Sequence, residues 1–538
     1  MNKETEVIFN RFAHIIEEGN VGFFFGAGVS RNAGVPVVPT IVSKIVSSLN
    51  LPDVYAKKIV ELKYPFEAFL EILNRYAALD KLLEVFKQGE PTEFHQLNKH
   101  LVEKGLLTQI MTTNFDLLIE KTGISSLNVV YEETKFHQLS TDEINYIKVH
   151  GGINKVNTIR TVMGSIAKKQ LRVKRKDAID FFFKNAGLKT VFVFGYSCSD
   201  KLDLTPYIKS VSGSNTRIVF VNHCQSNSAA ETIIDGDNPF SVFENLYVTC
   251  NTDSLIRYLA DYFHVYLNCT SCCFSVDEYL DYSSLGVYER YLFGAGLLFR
   301  NGCYKEAANL LQQALKHDGD TTHRVEIISF LFEIYHNIQT STLKPMYKIL
   351  PRGITFNTME DEKNMSLKVL NGIKDNNTRY NKIAGLQTHW GHFLLSCRKY
   401  DDAIQSYRDS LELLLQTANT YRIYQSRNNI ANAILTRWNN GDSVLIGDEV
   451  YQECYIIWRK CLVYFRQSAY PFEYEISCEN MAELLLIFRK NRIKRIKRYL
   501  NTAKELSIYL NDQIGIDNCD KMIKRLRVVE VEKSKRRV

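Results

Sequence analysis

The hydrophobic pattern of the first ~265 residues alternates short apolar runs with longer helical stretches. The runs do not alternate cleanly with polar residues, and they stop at a glycine or polar residue: Val21–Phe25, Leu106–Met111, Val191–Phe194 and Arg217–Val221. Such runs are typical of strands that are buried on both faces of a parallel sheet. Helical stretches lie between them, from Phe66 to Leu79 and from Glu93 to Lys104. Strands that alternate with helices predict an α/β layered fold.

From about Tyr279 onward the pattern contains helices only. Small and apolar residues share one face of two predicted helices, Tyr304–Ala314 and Tyr400–Ser410, with Gly296 and Trp390-Gly391 upstream of them. This spacing resembles a tetratricopeptide-type (TPR) hairpin, in which small residues let two helices pack closely. The two copies lie 96 residues apart, which is not a multiple of 34, so the predicted array is irregular. Prolines and glycines predict a loop or an interrupted repeat within residues 340–380.

The composition is that of a globular protein. Of the 538 residues, 45% are hydrophobic and 24% are charged, which excludes a disordered or fibrous chain. No apolar run approaches the ~18 residues that cross a bilayer, and the first residues do not resemble a signal peptide. The twelve cysteines are scattered, and the first 197 residues contain none, which favours reduced thiols. We therefore expect a soluble cytoplasmic protein without a membrane partner.

The net charge of +7 is unevenly distributed. Residues 489–538 hold 16 Lys/Arg and 6 Asp/Glu, so the rest of the chain is close to neutral, and nucleic acid is not an expected partner. The basic run Arg489–Arg498 predicts an amphipathic helix, because Ile493, Ile496 and Leu500 recur at helical spacing. A solvated cationic face is favoured over a binding site. The single CxxC pair at Cys269 and Cys272 lacks a second pair nearby, so no metal site is expected.

Five short motifs contain polar residues, three of them together with glycine, and they lie mostly where predicted strands end. They are Gly26–Ser30, Thr112–Asp116, Lys148–Gly152, Gly195–Asp200 and Val219–Asn222. A strand that ends in Gly-x-Gly lets the backbone approach a pyrophosphate at the following helix. Polar residues at the carboxyl ends of strands lie where open α/β sheets bind ligands, and a histidine titrates near neutral pH. Each motif alone is equally typical of a tight turn or a helix cap.

Together and in this order, the five motifs resemble the sirtuin superfamily over residues 21–222. The resemblance implies a Rossmann-like domain that binds NAD as a substrate and cleaves its nicotinamide–ribose bond. It implies three catalytic residues, in which Asn114 positions the attacking group, Asp116 faces the nicotinamide carboxamide and His150 acts as general base. The NAD-binding residues that it implies are Gly26, Ala27, Gly28, Ser30, Thr113, Gly195, Tyr196, Ser197 and Asn222.

Two departures from the protein-deacetylating sirtuins bear on the activity. Pro36 is followed by Val37-Val38-Pro39 instead of an acidic residue, an aromatic residue and an arginine, and residues 151–197 lack the cysteines of the zinc module. In these respects the chain resembles the sirtuin-like domains of bacterial anti-phage defence proteins, which join an NAD-hydrolysing domain to a sensing domain. The expected division is a sirtuin-like NAD-binding domain over 1–265, a connecting segment over 266–285 and a TPR-like helical sensor domain over 286–538.

Three functional hypotheses follow from this resemblance. The first is an NAD hydrolase that releases nicotinamide and ADP-ribose, is triggered by a phage or other protein at the helical domain, and causes abortive infection. The second is an NAD-dependent protein deacylase or ADP-ribosyltransferase, against which the missing zinc module argues. The third is a non-enzymatic scaffold that only binds NAD or ADP-ribose. The resemblance is also compatible with a homo-oligomer.

Overall fold

The computed structural model divides the chain into two compact units. Residues Met1–Asn50 and Val60–Ser284 form the first unit, and Leu51–Ile59 and Leu285–Val538 form the second. The structure describes residues 2–62, 66–155, 169–198, 204–211, 213–226, 228–234, 236, 238–265, 275–317, 321–342, 344–441, 447–467, 470–510 and 513–535. The pair Cys269 and Cys272 and the motif residues Ser199-Asp200 lie outside this description.

The first unit contains an eight-stranded sheet and its flanking helices. Its strands are β1 Val21–Phe25, β2 Leu107–Thr112, β3 Leu127–Val130, β4 Ile144–Lys148, β5 Thr190–Phe194, β6 Arg217–His223, β7 Ala230–Thr232 and β8 Glu244–Cys250. Helices α1 to α6 span Lys3–Glu17, Val38–Ser48, Asp53–Glu61, Phe66–Leu73, Asp80–Glu84 and Glu93–Glu103, and α3 lies largely within the part assigned to the second unit. Helices α7 to α10 span Lys169–Asp180, Leu204–Ser210, Thr252–Tyr262 and Asp277–Leu280.

The sheet has the strand order β3-β4-β2-β1-β5-β6-β8-β7. All neighbouring strands are parallel except β7, which pairs antiparallel with β8 at one edge. The chain builds outward from β1 on one side and then crosses to β5 on the other. This reversal of direction is a topological switch point, where doubly wound sheets bind their ligands. The α/β fold class that the hydrophobic pattern predicts is therefore confirmed.

Strand β1 has no polar residue because both of its faces are buried in a hydrophobic core. Phe23 and Phe25 face the core formed with α1, α6 and α9, whereas Phe24 faces the core formed with α7 and α8. All three rings are at most 1% exposed. Burial on both faces removes the polar alternation of a half-exposed strand, so the run of three phenylalanines follows from the position of β1 in the middle of the sheet.

The second unit is built from helices, as predicted. In chain order, α11 to α16 span Val287–Arg300, Tyr304–Ala314, Thr321–Thr342, Phe356–Asn371, Asn376–Ser396 and Tyr400–Leu415. Helices α17 to α21 span Thr420–Asn439, Gly447–Gln467, Pro471–Phe488, Ile493–Leu510 and Gln513–Lys535. Each helix packs on the next along the chain. None of the helices in the described ranges has both the length and the apolarity that spanning a membrane requires.

Small residues bring neighbouring helices of the second unit close together. A Cβ atom on Gly391 would lie 2.6 Å from the ring of Tyr407, so α15 and α16 contact each other at a position where only glycine fits. Gly294 of α11 similarly lies against Leu310 of α12 and against Leu51. The close packing of hairpins that the sequence predicts is therefore present, while the assignment to the TPR class itself stays a prediction.

Three sequence predictions differ in their limits from the structure. The helix predicted from Phe66 to Leu79 ends at Leu73. Within residues 340–380, where the sequence predicts a loop or an interrupted repeat, the structure has the helix Phe356–Asn371, whose first turn Thr355 caps with its hydroxyl group. The helix predicted over the basic run begins only at Ile493, and it buries Ile496 and Leu500 as the spacing indicates.

Candidate active site at the switch point

The sequence motifs converge at one edge of the sheet because the strands end in register. Phe25 of β1 pairs with Thr112 of β2 and with Phe194 of β5, and Thr112 pairs in turn with Lys148 of β4. Phe194 also pairs with Val221 of β6. Each motif directly follows or includes one of these residues, so the five motifs lie side by side at the carboxyl edge. Parallel strands bind ligands at this edge.

The two glycine motifs approach each other at the backbone level. The Gly28 N–H donates to the Gly195 carbonyl at 3.0 Å, and the Gly26 N–H donates to the Phe194 carbonyl at 3.0 Å. Gly195 has a φ of +58°, the left-handed region that glycine adopts most readily. The helix that follows β1 is a 3₁₀ helix, Ala27–Ala33, which begins within the first motif. Ala27 and Gly28 are exposed, so their backbone is accessible to a ligand.

We expect Gly28→Ala to destabilise the first unit. The added Cβ would lie 2.7 Å from Gly195 Cα and 2.9 Å from its carbonyl oxygen, and no side-chain rotation relieves contacts with backbone atoms. Overpacking of this kind costs about 1–3 kcal/mol. Thermal unfolding of the full chain measures the effect, with Ala27→Ser on the same loop as control. Equal unfolding temperatures for the two variants would contradict the close approach.

A buried hydrogen-bond chain connects three of the predicted site residues. The Ser30 hydroxyl donates to Asp116 Oδ2 at 2.8 Å, and the Asn114 amide nitrogen donates to Ser30 Oγ at 3.0 Å and to the Gly26 carbonyl at 3.2 Å. The Leu118 N–H donates to Asp116 Oδ1 at 3.2 Å. Ser30, Asn114 and Asp116 are all buried, so these contacts fix the side chains without competition from water.

The chain also determines the orientation of the Asn114 amide. An ionised carboxylate only accepts, so the Ser30 hydroxyl hydrogen points to Asp116 and its lone pairs face Asn114. The Gly26 carbonyl likewise only accepts, so the NH₂ group of Asn114 must face both oxygens. Asn114 Oδ1 is consequently the acceptor that remains, and it has no hydrogen-bond partner among the described residues. Such a buried acceptor is ready for a hydroxyl group of a ligand.

Lys148 connects the Asn114 loop to the histidine motif. Its ammonium group donates to the Asp116 carbonyl and, at 3.5 Å, to the Phe115 carbonyl, and it forms a 2.9 Å ion pair with Glu120. The side chain of Lys148 is fully buried. Two residues further on, His150 is 5% exposed, and its ring centroid lies 6.3 Å from that of Phe115. The buried ammonium group of Lys148 therefore holds the backbone next to Asn114, and Lys148 itself lies two residues before His150.

His95 is a second buried histidine, and it lies within electrostatic range of Asp116. Burial lowers the pKa of His95 to about 4, while Asp116 opposes this effect. Its Nδ1 accepts the Thr92 N–H at 3.0 Å in a capping box at the start of α6, so the neutral ring carries its proton on Nε2. The ring is thus fixed as a neutral side chain at ordinary pH.

Titration of His95 should make stability depend on pH. The folded pKa lies below the ordinary value of 6.5, so the unfolded chain binds the additional proton between pH 6.5 and pH 4. Stability of the first unit therefore falls as the pH is lowered through this window, by on the order of 3 kcal/mol. Gln is a usual capping-box residue at this position and does not titrate, so His95→Gln should flatten the dependence. Parallel urea-midpoint curves for the two proteins between pH 4 and 6.5 would refute this.

The other predicted binding residues lie around the switch point. The Thr113 N–H donates to the Phe25 carbonyl at 3.2 Å, and the Tyr196 ring packs edge-on against Phe24 at 4.9 Å. Ser197 is exposed, and Asn222 lies half-buried near the end of β6. The roles that the sirtuin resemblance gives to these residues stay predictions.

Lys148 and His95 contribute to the site, although the sequence analysis gave them no role. A single lysine is unremarkable in a sequence, and the burial of Lys148 depends on the distant Glu120 and on two backbone carbonyls. His95 lies inside a regular helical pattern. In the described ranges, no cluster of three or more His, Cys, Asp and Glu side chains is arranged to hold a metal ion.

Comparison with known proteins supports the resemblance. No protein-family model matches the sequence. Over 164 residues, the chain is 28% identical to the protein named NAD(+) hydrolase ThsA from Enterococcus faecium, a match that covers 29% of this chain and 32% of the relative. The chain thus matches about a third of that relative's length. The relative's name agrees with the NAD-hydrolysing proteins that the five motifs resemble.

Solved structures include a similar chain described under "Structural Basis for the Mechanism and Regulation of Sir2 Enzymes". The similarity has a TM-score of 0.28 at 13% sequence identity, and it covers 49% of this chain and 98% of the other. The fold assignment therefore rests on the strand order and pairing of this chain itself.

Proposed function

We propose that this chain hydrolyses NAD⁺ to nicotinamide and ADP-ribose, and that a protein trigger acts through the helical unit. The observation that carries the enzymatic part is the buried Asp116–Ser30–Asn114 chain, which leaves Asn114 Oδ1 as an acceptor at the carboxyl edge of the sheet. The similarity to a protein named as an NAD(+) hydrolase supports the same activity.

Binding of NAD would use the backbone where β1 and β5 end. The close contact of Gly28 with Gly195 keeps side chains out of this edge, and the exposed backbone of Ala27 and Gly28 suits a pyrophosphate. The adenosine half would lie toward Ser197 and Asn222, on the β5 and β6 side. The nicotinamide half would lie toward Asn114 and His150, on the β2 and β4 side.

The reaction breaks the bond between ribose C1′ and the nicotinamide nitrogen. Nicotinamide leaves with the bonding electron pair as a neutral molecule, and the ribose passes through an oxocarbenium-like state. Asn114 Oδ1 would accept a hydrogen bond from a ribose hydroxyl or from water and hold it in place. Water then bonds to C1′ and transfers its proton to His150, which yields ADP-ribose. The chemistry needs positioned polar groups, which agrees with the fixed amide.

Control of the activity is the second part of the proposal. Unregulated hydrolysis of NAD would kill the cell, so the enzyme needs an inactive state. Stacked helices commonly bind proteins, which makes the second unit the element that would sense a phage or other protein trigger. Abortive infection would be the outcome. This part rests on the resemblance to sirtuin-like defence proteins.

Nicotinamide release tests the proposed function. Purified protein is mixed with NAD⁺, with and without a lysate of phage-infected cells. We expect release from the wild-type protein in the infected lysate and a loss of at least 100-fold in His150→Ala, because removing one positioned catalytic group commonly costs this much. His137→Ala removes an exposed histidine of the same unit and should retain activity. Release that His150→Ala leaves unchanged would contradict the proposal, and deacylation of an acyl-lysine peptide would favour the alternative.

A further inference from the structure

Helix α18 of the helical unit has a second face that is exposed in the described part of the chain. Its buried face carries Cys454, Trp458 and Phe465, whereas Ile456 and Val463 on the opposite face are 51% and 46% exposed. These two residues are seven positions apart, which places them on the same side of a helix. Single exposed apolar residues are common on protein surfaces, but these two lie together in one groove.

Tyrosines line this groove together with the two apolar residues, and its volume is about 370 Å³. Tyr424 of α17 and Tyr464 of α18 stack with their ring centroids 4.1 Å apart and their planes 7° apart. Tyr455 also lines the groove. Because stacked tyrosines are already ordered, they offer contact area at a low entropic cost, and aromatic residues are enriched at the centres of protein interfaces. We call this feature the Tyr424–Tyr464 groove.

The charge of the groove is positive. Arg459 and Lys460 line it, and neither forms an ion pair within the described part of the chain. Arg427 lies over the Tyr424 ring at 5.0 Å, and Arg495 lies over the Tyr455 ring at 5.5 Å. No carboxylate is among the described residues that line the groove. Arg495 belongs to the basic run of α20, so the positive surface extends from the groove onto that helix.

We propose that the Tyr424–Tyr464 groove binds an acidic peptide segment of a protein partner that carries a large apolar side chain. The apolar side chain contacts Ile456 and Val463 between the tyrosines, and the flanking carboxylates pair with Arg459 and Lys460. Arginine and aromatic residues are the usual hot spots of such interfaces. Nucleic acid fits less well, because phosphates pair with cations only and leave Ile456 and Val463 without an apolar partner.

This inference rests on the proposed function, because it takes the groove as the site where the protein trigger binds. Its test therefore measures binding in the absence of NAD⁺. A failure of binding and a failure of catalysis are then seen in separate experiments.

The experiment selects binders to the full-length protein from a random library of displayed 12-residue peptides. The test variant is Arg459→Glu/Lys460→Glu. The matched control is Lys521→Glu/Lys524→Glu, which makes the same charge change at two exposed lysines of α21. Selected peptides are synthesised with a fluorescein label, and their dissociation constants are measured by fluorescence anisotropy.

We expect the selected peptides to be rich in Asp and Glu and to contain a large apolar residue. Their affinity should fall at least tenfold for the groove variant and stay unchanged for the control variant. Ile456→Ser should also weaken binding, without a change of charge. Three results would overturn the proposal: no enrichment of acidic peptides, equal affinity for both double variants, or displacement of the peptide by single-stranded DNA or ADP-ribose at concentrations similar to those of the peptide.

Discussion

Asn114→Ala should lower the rate of nicotinamide release at least 100-fold. The substitution removes the side-chain acceptor that the Asp116–Ser30 chain orients, so the reacting hydroxyl would lose the partner proposed for it. Loss of one preorganised hydrogen-bonding group typically costs 10²–10³ in rate. The KM for NAD⁺ should change much less, because the proposed binding mode places the phosphates on the backbone of the glycine motifs and not on Asn114. Steady-state kinetics of triggered enzyme measure both constants.

Asn114→Asp gives a sharper version of the same test. The new carboxylate oxygen would face the Gly26 carbonyl and Ser30 Oγ, which are both hydrogen-bond acceptors. The Ser30 hydroxyl has one hydrogen, so it could donate to only one of the two carboxylates. We expect a loss of activity as large as that of Asn114→Ala, although the side chain keeps its shape. Asn128→Ala removes an exposed asparagine of the same sheet and serves as control. If Asn114→Asp retained more than a tenth of the wild-type rate, the amide orientation would not matter for the reaction.

Lys148→Met should have the largest effect on stability. The methionine keeps the apolar stem, but it removes the ion pair with Glu120 and the hydrogen bond to the Asp116 carbonyl. Removing one partner of a buried pair costs about 3–5 kcal/mol. Because Glu120 is partly exposed, we expect the free energy of unfolding to fall by about 3 kcal/mol. In a urea unfolding curve, the first transition should therefore move to a lower midpoint concentration.

Lys121→Met is a matched control for this substitution. Lys121 also donates to two backbone carbonyls, those of Lys87 and Gly89, but it is partly exposed. Exposed interactions of this kind contribute at most about 1 kcal/mol. Equal losses for the two lysine variants would show that the burial of Lys148 does not matter. Activity should also be lost in Lys148→Met at temperatures where the protein is still folded, because the Asn114 loop is no longer held.

The sequence predicted the four central strands β1, β2, β5 and β6, which are largely buried, and it did not predict β3, β4, β7 and β8. Strand β1 matches the predicted Val21–Phe25 at both ends, and β5 begins one residue before the predicted run at Val191. The shared edge of the motifs followed from the rule that parallel strands present their carboxyl ends together. For the second half, the sequence predicted only that it is helical. The spacing of its apolar residues shows which helix faces pack, but it does not show which helices pack against each other.

Other features of the site depend on contacts between distant residues. The sirtuin resemblance implies that Ser30 binds NAD, whereas its hydroxyl group connects Asp116 to Asn114, 86 and 84 residues away. The sequence around Lys148 does not indicate the three groups that its ammonium group contacts. The segment Leu51–Ile59, which groups with the helical unit, lies in a part of the sequence that reads as α/β. Local patterns do not contain such information.

The central claim is that the chain converts NAD⁺ and water to nicotinamide and free ADP-ribose. Product quantification by liquid chromatography tests it most directly, on wild-type protein triggered by infected lysate and on His150→Ala and Asn114→Ala. The account predicts equal amounts of the two products from the wild-type protein and at least 100-fold less from either variant. Nicotinamide without free ADP-ribose would indicate transfer to an acceptor, and an absence of nicotinamide under all conditions would contradict the enzymatic account.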